Sequence, residues 1–188
     1  MSQASTNEIK PGMKVEIDNE PYLVVNNEFV KPGKGQAFNR IRVKNFLTGR
    51  VVEKTFKSGE KLALADVVES NMRLLYTEQD SAVFMCDDTF EQYHVSYDVI
   101  KDNRKWLKEE VLYSVIIYKG NIIEIIPPTF MELKIIQTDP GLRGDTSGKV
   151  MKPATLETGA AIQVPIFVNE GEKIKVDTRT NEYVSRVQ

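Results

Sequence analysis

The chain of 188 residues contains one cysteine and one histidine. The single cysteine, Cys86, excludes an internal disulfide, which suits a reducing compartment. His94 has no cysteine or histidine partner at ligand spacing, so a zinc site lacks its donors, and neither a metal nor a cofactor is expected. It sits in the alternating stretch Gln92 to Tyr97 and reads as an ordinary strand residue. Cys86 ends the apolar run Ala82-Val83-Phe84-Met85-Cys86 and reads as a buried, inert thiol, not as the partner of His94 in a nucleophile pair. Asp87 and Asp88 are adjacent, so they point to opposite faces or lie in a turn, and neither suits acid–base work. With no nucleophile–base pair, an enzyme is not expected. No apolar run approaches the ~20 residues that span a bilayer, and Met1 to Lys10 lacks the apolar segment of a secretory signal. These absences together describe a cytoplasmic protein with no membrane partner.

What is present is an ordinary globular balance, 41% hydrophobic and 28% charged residues, enough for a core. The net charge of −2 hides an asymmetry. Residues 1–65 hold eleven Lys and Arg against seven Asp and Glu, a surplus of four positive charges. Residues 66–127 hold six against twelve, and residues 128–188 hold eight against eight. A basic first third on an otherwise acidic chain suggests that one end meets a polyanion. The overall pI of about 5.6 argues against indiscriminate nucleic-acid binding.

The chain reads mostly as strands. Met13 to Ile17 alternates apolar and polar, Asp18 to Pro21 turns, and Tyr22 to Val25 follows, continued by Glu28-Phe29-Val30. From Gln36 to Asn45 the alternation places Ala37, Asn39, Ile41 and Val43 on one face and Phe38, Arg40, Arg42 and Lys44 on the other. Thr48-Gly49 turns the chain and Val51 to Phe56 returns. Short strands with frequent turns predict an SH3-like (KOW-type) barrel over residues 1–65. In residues 66–127, Met72–Thr77, Ser81–Cys86 and Gln92–Val99 read as strands and Asp98–Glu110 as a helix with Ile100, Trp106 and Leu107 inward. Val111–Lys119 and Asn121–Ile126 read as a buried hairpin around Gly120. Residues 128–188 carry strand signals at Met131–Thr138, Ala161–Phe167 and Lys173–Asp177. Units of this size fit OB-fold barrels, so the expected fold is all-β, an SH3-like barrel followed by two OB-fold barrels.

The most informative segment is Lys31-Pro32-Gly33-Lys34-Gly35. Pro32 presets φ and two glycines permit positive φ, which predicts a tight hairpin tip with Lys34 projecting into solvent. Turn chemistry alone favours an ordinary solubilising lysine. Arg40, Arg42 and Lys44, aligned at period two on the next strand, change the balance, because a basic strip leading to an exposed tip can follow a phosphate backbone. Lys34 lacks the burial, neighbouring cation and pocket that a catalytic lysine needs. It is better suited to entering another molecule's pocket, or to being modified. The loop Gly141 to Lys149 is glycine-rich, but Gly148-Lys149 is followed by Val150 where a P-loop needs Ser or Thr. It can touch a polar ligand through its backbone.

Lys31 to Phe38, continued by Arg40-Ile41-Arg42-Val43-Lys44, closely resembles the bacterial elongation factor P family, which is homologous to the hypusine-containing translation factor of archaea and eukaryotes. Thr48-Gly49-Arg50, Thr55 to Lys61, Gly141 to Thr146 and Gly171 to Arg179 resemble it in the same order, so the likeness runs from Ile9 to Arg186. The resemblance implies an L-shaped, tRNA-like arrangement of the three barrels. It also implies a monomer that binds the ribosome between the peptidyl-tRNA and exit sites and relieves stalling at consecutive prolines. Lys34 stands where relatives carry a β-lysine added by a lysyl-tRNA-synthetase-like enzyme, to which a hydroxylation can be added. Lys31, Pro32, Gly33, Gly35, Arg40, Arg42 and Lys44 would accompany it at the acceptor end of the tRNA. Arg143, Gly144, Asp145 and Thr146 match the loop that approaches the codon and anticodon. The rival reading is a generic RNA-binding SH3/OB protein or a divergent paralogue, which bare-RNA binding without the ribosome would favour.

Overall fold

The computed structural model describes residues 2–140 and 150–187. By contacts the chain divides into two compact units, residues 1–70 with 115–124 and residues 71–114 with 125–188. Nearly all regular structure is β-strand.

The first unit holds a six-stranded antiparallel sheet, formed by β1 (Gln3–Ser5), β2 (Lys14–Ile17), β3 (Glu20–Val30), β4 (Phe38–Asn45), β5 (Val51–Lys57) and β6 (Lys61–Leu64) in the order β1-β6-β2-β3-β4-β5. Period-two alternation directs Val15, Ile17, Tyr22, Val24, Ile41, Val43 and Leu62 into one core, joined by Ile9, and leaves the intervening residues outward. The β2–β3 turn is Asp18-Asn19, both at positive φ, as a two-residue hairpin loop requires. Within β3 the register slips between Val24 and Asn26. This bulge at Val25 reverses which side chains face in: Tyr22 and Val24 before it, Asn27 and Phe29 after it.

The β10 (Leu112–Tyr118) and β11 (Asn121–Ile126) hairpin turns at Lys119-Gly120, again with both residues at positive φ. Its tip is tied to β2. Tyr118 Oη donates to Glu16 Oε2 over 2.7 Å, and Lys119 Nζ lies 2.9 Å from the same oxygen. These two donors, Tyr118 first, hold the Glu16 carboxyl below its ordinary value.

A second sheet has the order β11-β10-β7-β8-β9, with β7 at Val67–Thr77, β8 at Ser81–Cys86 and β9 at Gln92–Ser96. The expected helix over Asp98–Glu110 is instead a single turn, α1 (Tyr97–Ile100), followed by a 3-10 segment over Lys101–Trp106. Lys101 at φ 54° ends the first turn. Ile100 and Trp106 are both buried, yet residues six apart do not share a helical face. Breaking the helix lets each find its own core.

Trp106 enters the core of the closed barrel β12-β13-β14-β16-β15. Its strands are β12 (Phe130–Thr138), β13 (Met151–Leu156), β14 (Ala161–Pro165), β15 (Lys173–Asp177) and β16 (Glu182–Arg186). The buried Tyr113 hydroxyl donates to the carbonyl of Trp106 over 2.8 Å and accepts from the Lys108 amide over 2.9 Å. Burial pushes this phenol up to about 12. At the barrel's edge, Arg179 donates to Asp177 through Nε at 3.1 Å and Nη2 at 2.7 Å. That guanidinium holds the Asp177 carboxyl at about 2.

Candidate functional site

Lys34 lies in the connection between β3 and β4. The ladder closes at Val30 opposite Phe38, so the loop runs from residue 31 to 37 and is wider than the tight tip that Pro-Gly-Lys-Gly predicts. Only one of its two glycines uses its freedom: Gly35 takes φ 111°, while Gly33 stays in the ordinary region. Lys31, Gly33, Lys34, Gly35 and Gln36 are all exposed and Pro32 is half-buried. Neither Lys31 nor Lys34 makes a hydrogen bond or ion pair among the described residues. The Ser58 amide donates to the Ala37 carbonyl over 3.1 Å, which fastens the loop's return to the end of β5.

The base of the hairpin is stiff where the apex is free. Asn27 Nδ2 donates to the carbonyls of Thr6 and Ile9, both at 2.8 Å. Asn39 Nδ2 donates to Asn27 Oδ1 over 3.1 Å. Thr6 in turn donates its hydroxyl to the Lys57 carbonyl and accepts from the Gly59 amide. The N-terminal turn thus braces β3 from one side and the end of β5 from the other. In the sequence Asn39 shows only as an inward position between Ala37 and Ile41. An amide in an apolar row is the signal it carried, and Asn27 gave none because the bulge that turns it inward is invisible in the pattern.

Arg40, Arg42 and Lys44 do share the outer face of β4, but they differ electrically. Arg40 is flanked by Glu28 at 3.8 Å and Glu53 at 3.4 Å. Such exposed pairs contribute roughly 0–1 kcal/mol each and still mask charge. Arg42 and Lys44 are exposed with no ion partner among the described residues. Lys31, Lys34, Arg42 and Lys44 are therefore cations beside the hairpin without an ion partner among the described residues. Arg143, Gly144, Asp145 and Thr146 lie outside the described residues. Among the described residues no group of three or more His, Cys, Asp or Glu is placed to hold a metal ion, and no helix is long and apolar enough to cross a membrane.

The arrangement is that of a presenting module: a braced small barrel holding an unpaired cation outward on an open loop, with no walls around it. Its fold is shared with the eukaryotic translation initiation factor 5A from Methanococcus jannaschii, at a TM-score of 0.53 and 22% identity, covering 66% of this chain and 96% of that one. A translation initiation factor 5A family protein from Naegleria fowleri aligns at a TM-score of 0.53 and 18% identity, over 66% of this chain and 97% of that one.

Family models divide the chain further. Residues 5–62 match the elongation factor P KOW-like domain, residues 67–125 the elongation factor P OB domain, and residues 131–186 the elongation factor P C-terminal domain. Elongation factor P 2 of Protochlamydia amoebophila is 61% identical over the whole of this chain and 99% of its own length. The corresponding proteins of Chlamydia trachomatis and Chlamydia pneumoniae are 59% and 57% identical with the same coverage. The chain belongs to the elongation factor P family and is a translation elongation factor.

Proposed function

We propose that this factor binds the ribosome beside the peptidyl-tRNA and uses Lys34, extended by modification, to hold the CCA end of that tRNA while consecutive prolines are joined. The observation that carries the reading is the unpartnered, exposed Lys34 at the apex of a hairpin whose base is braced by Asn27 and Asn39. Proline is a poor nucleophile and a stiff donor, so the reacting ends sit badly. Orientation of bound reactants can supply a large share of a barrier without any chemistry from the positioning group. A lysine on an open loop suits that role, being a flexible cation with three donors and no acid–base partner. The protein acts by placement and not as an enzyme.

The modification fits a lysyl-tRNA-synthetase-like enzyme adding a β-lysine to Lys34, with hydroxylation as a further step. Either adds reach and donors to an arm aimed at a polyanion. Lys31, Pro32, Gly33 and Gly35 carry the arm, and Arg42 and Lys44, with Arg40 partly masked, follow phosphates. Arg143, Gly144, Asp145 and Thr146 are proposed to meet the codon and anticodon region. The working division is residues 1–65, 66–127 and 128–188, in a cytoplasmic monomer.

The test is complementation of a cell lacking its own factor, read with a reporter interrupted by Pro-Pro-Pro. Wild type restores the reporter and Lys34→Ala does not, although both accumulate equally. Equal rescue by Lys34→Ala would sink the reading. Binding to bare RNA as tight as to ribosomes would favour a generic RNA-binding protein instead.

A further inference from the structure

Beside the hairpin base lies a cavity of about 350 Å³ lined by Asn7, Ile9, Asn27, Phe29 and Asn39. Phe29 pairs with Asn39 across β3 and β4, so both side chains stand on the same face of the sheet. That face is the core side, yet Phe29 is 55% exposed and takes no part in the hydrophobic core, whereas Asn39 is 2% exposed. An aromatic ring is thus left bare on the concave side of the barrel, next to a buried carboxamide.

The polarity of that carboxamide is fixed by its neighbours. The carbonyls of Thr6 and Ile9 can only accept, so they hold the Asn27 amide nitrogen toward themselves. Asn27 Oδ1 is then the acceptor that faces Asn39, and Asn39 must present its nitrogen. Asn39 Oδ1 is left buried with no donor. A buried acceptor without a partner is unfavourable, and each such atom calls for an explanation. Asn7 adds the complementary function: its Oδ1 accepts from Ser58 Oγ over 3.0 Å, and its side-chain Nδ2 has no partner among the described residues. Exposed cations stand beside the site: Lys10 follows Ile9, and Lys31 follows Val30 at the end of β3.

We propose that this cavity takes one unpaired base of an RNA strand, stacked on Phe29, with its polar edge on the carboxamides of Asn39 and Asn7 and its phosphates near Lys10 and Lys31. The inference rests on the reading of this chain as a factor that meets tRNA. A base has a flat π-face and, on one edge, a donor beside an acceptor, which is the complement of an aromatic wall beside an unpaired acceptor and an unpaired donor. An aliphatic peptide side chain would use the ring but leave both amide groups unmet.

The test titrates short single-stranded RNAs of A, C or U, and the matching mononucleotides, into the full-length protein. It follows the side-chain amide signals of Asn7 and Asn39 by NMR and affinity by anisotropy. At least one RNA shifts both amides and binds more tightly than its mononucleotide. Phe29→Ala weakens that RNA about tenfold, as loss of one base stack does, while Phe29→Tyr retains it. Phe29 is exposed, so the variants fold, which their melting temperatures check. Asn39→Ser alters which base binds best. Amide signals that stay unmoved by every RNA, or an RNA affinity untouched in Phe29→Ala, overturn the proposal. So does a mononucleotide that binds as tightly as the strand, which would mark a free-nucleotide site. Lys34→Ala is run alongside in proline-stall rescue. If Lys34→Ala fails there while Phe29→Ala binds RNA normally, only the base site falls. If Lys34→Ala rescues fully, the tRNA reading itself falls.

Discussion

Asn39 donates its amide to Asn27 Oδ1 across the β3–β4 hairpin at 3.1 Å, and Asn27 passes the constraint on to two backbone carbonyls of the N-terminal turn. The hairpin that holds Lys34 outward is therefore anchored to residues about twenty positions earlier in the chain. A presenting arm needs this contrast between a fixed base and a free tip.

The first prediction removes the anchor. Asn27→Ala takes away three hydrogen bonds and orphans the Thr6 and Ile9 carbonyls. At about 1 kcal/mol per bond, before any cost of the unmet groups, it should destabilise the fold by about 3 kcal/mol or more. A urea titration reads this as a lower midpoint. A midpoint equal to wild type would mean the amide is not structural.

A second concerns the loop. Gly35 sits at φ 111° with only the Pro32 side chain nearby, at 3.8 Å. There is room for a methyl group but not for its backbone preference, so Gly35→Ala should cost about 1–2 kcal/mol of loop strain. The loop can relieve that strain by changing shape. Melting temperature should then move little while rescue of a proline stall drops. A large loss of melting temperature with intact rescue would contradict this.

Acid stability offers a third. Asp177 is held at about 2, well below the ordinary carboxylate value of 3.8, chiefly by Arg179. A depressed carboxylate stabilises the fold above its ordinary value and loses that contribution as pH falls through its folded value. The Asp177–Arg179 pair should therefore contribute fully above about pH 4 and fade toward pH 2. Comparing wild type with Asp177→Asn by thermal melts should show curves that separate at neutral pH and converge in that window. A gap that stays constant with pH would be wrong for this pair.

The fourth tests the clasp between β2 and the β10–β11 tip. Tyr118 supplies the first cause, and Lys119 the next, that keep Glu16 below its usual value of 4.5. Tyr118→Phe should raise the Glu16 carboxyl, seen by carbon NMR of the side chain. The clasp should then loosen at a higher pH than in wild type as acid is added. A Glu16 titration unchanged by the substitution would assign the shift to Lys119 alone.

Much of the site was readable from residues. β4 alternates cleanly because one face is core and the other water, so Ile41, Val43, Arg42 and Lys44 fell on their proper sides. The exposure of Lys34 followed from glycines with no side chains to shield it. The loop's true width did not, since Ala37 continues the alternation but lies outside the ladder, where the Ser58 amide binds its carbonyl. β1, β6 and β16 are not legible because strands of three to five residues carry too little alternation to read. The false helix arose from counting Ile100, Trp106 and Leu107 as one stripe, when Trp106 belongs to a different barrel's core. Asn27 was hidden by a bulge, which changes facing without changing composition.

The central claim is that Lys34 positions and does not react. Single-turnover formation of a Pro–Pro bond on purified ribosomes tests it most directly, using factor from its native host whose intact mass exceeds the sequence mass by at least one lysine-sized adduct. The account predicts that this factor accelerates the bond strongly, that unmodified factor does so less, and that Lys34→Ala binds the ribosome yet leaves the rate at its factor-free value. A Lys34→Ala protein that accelerates the bond as well as wild type would contradict the account.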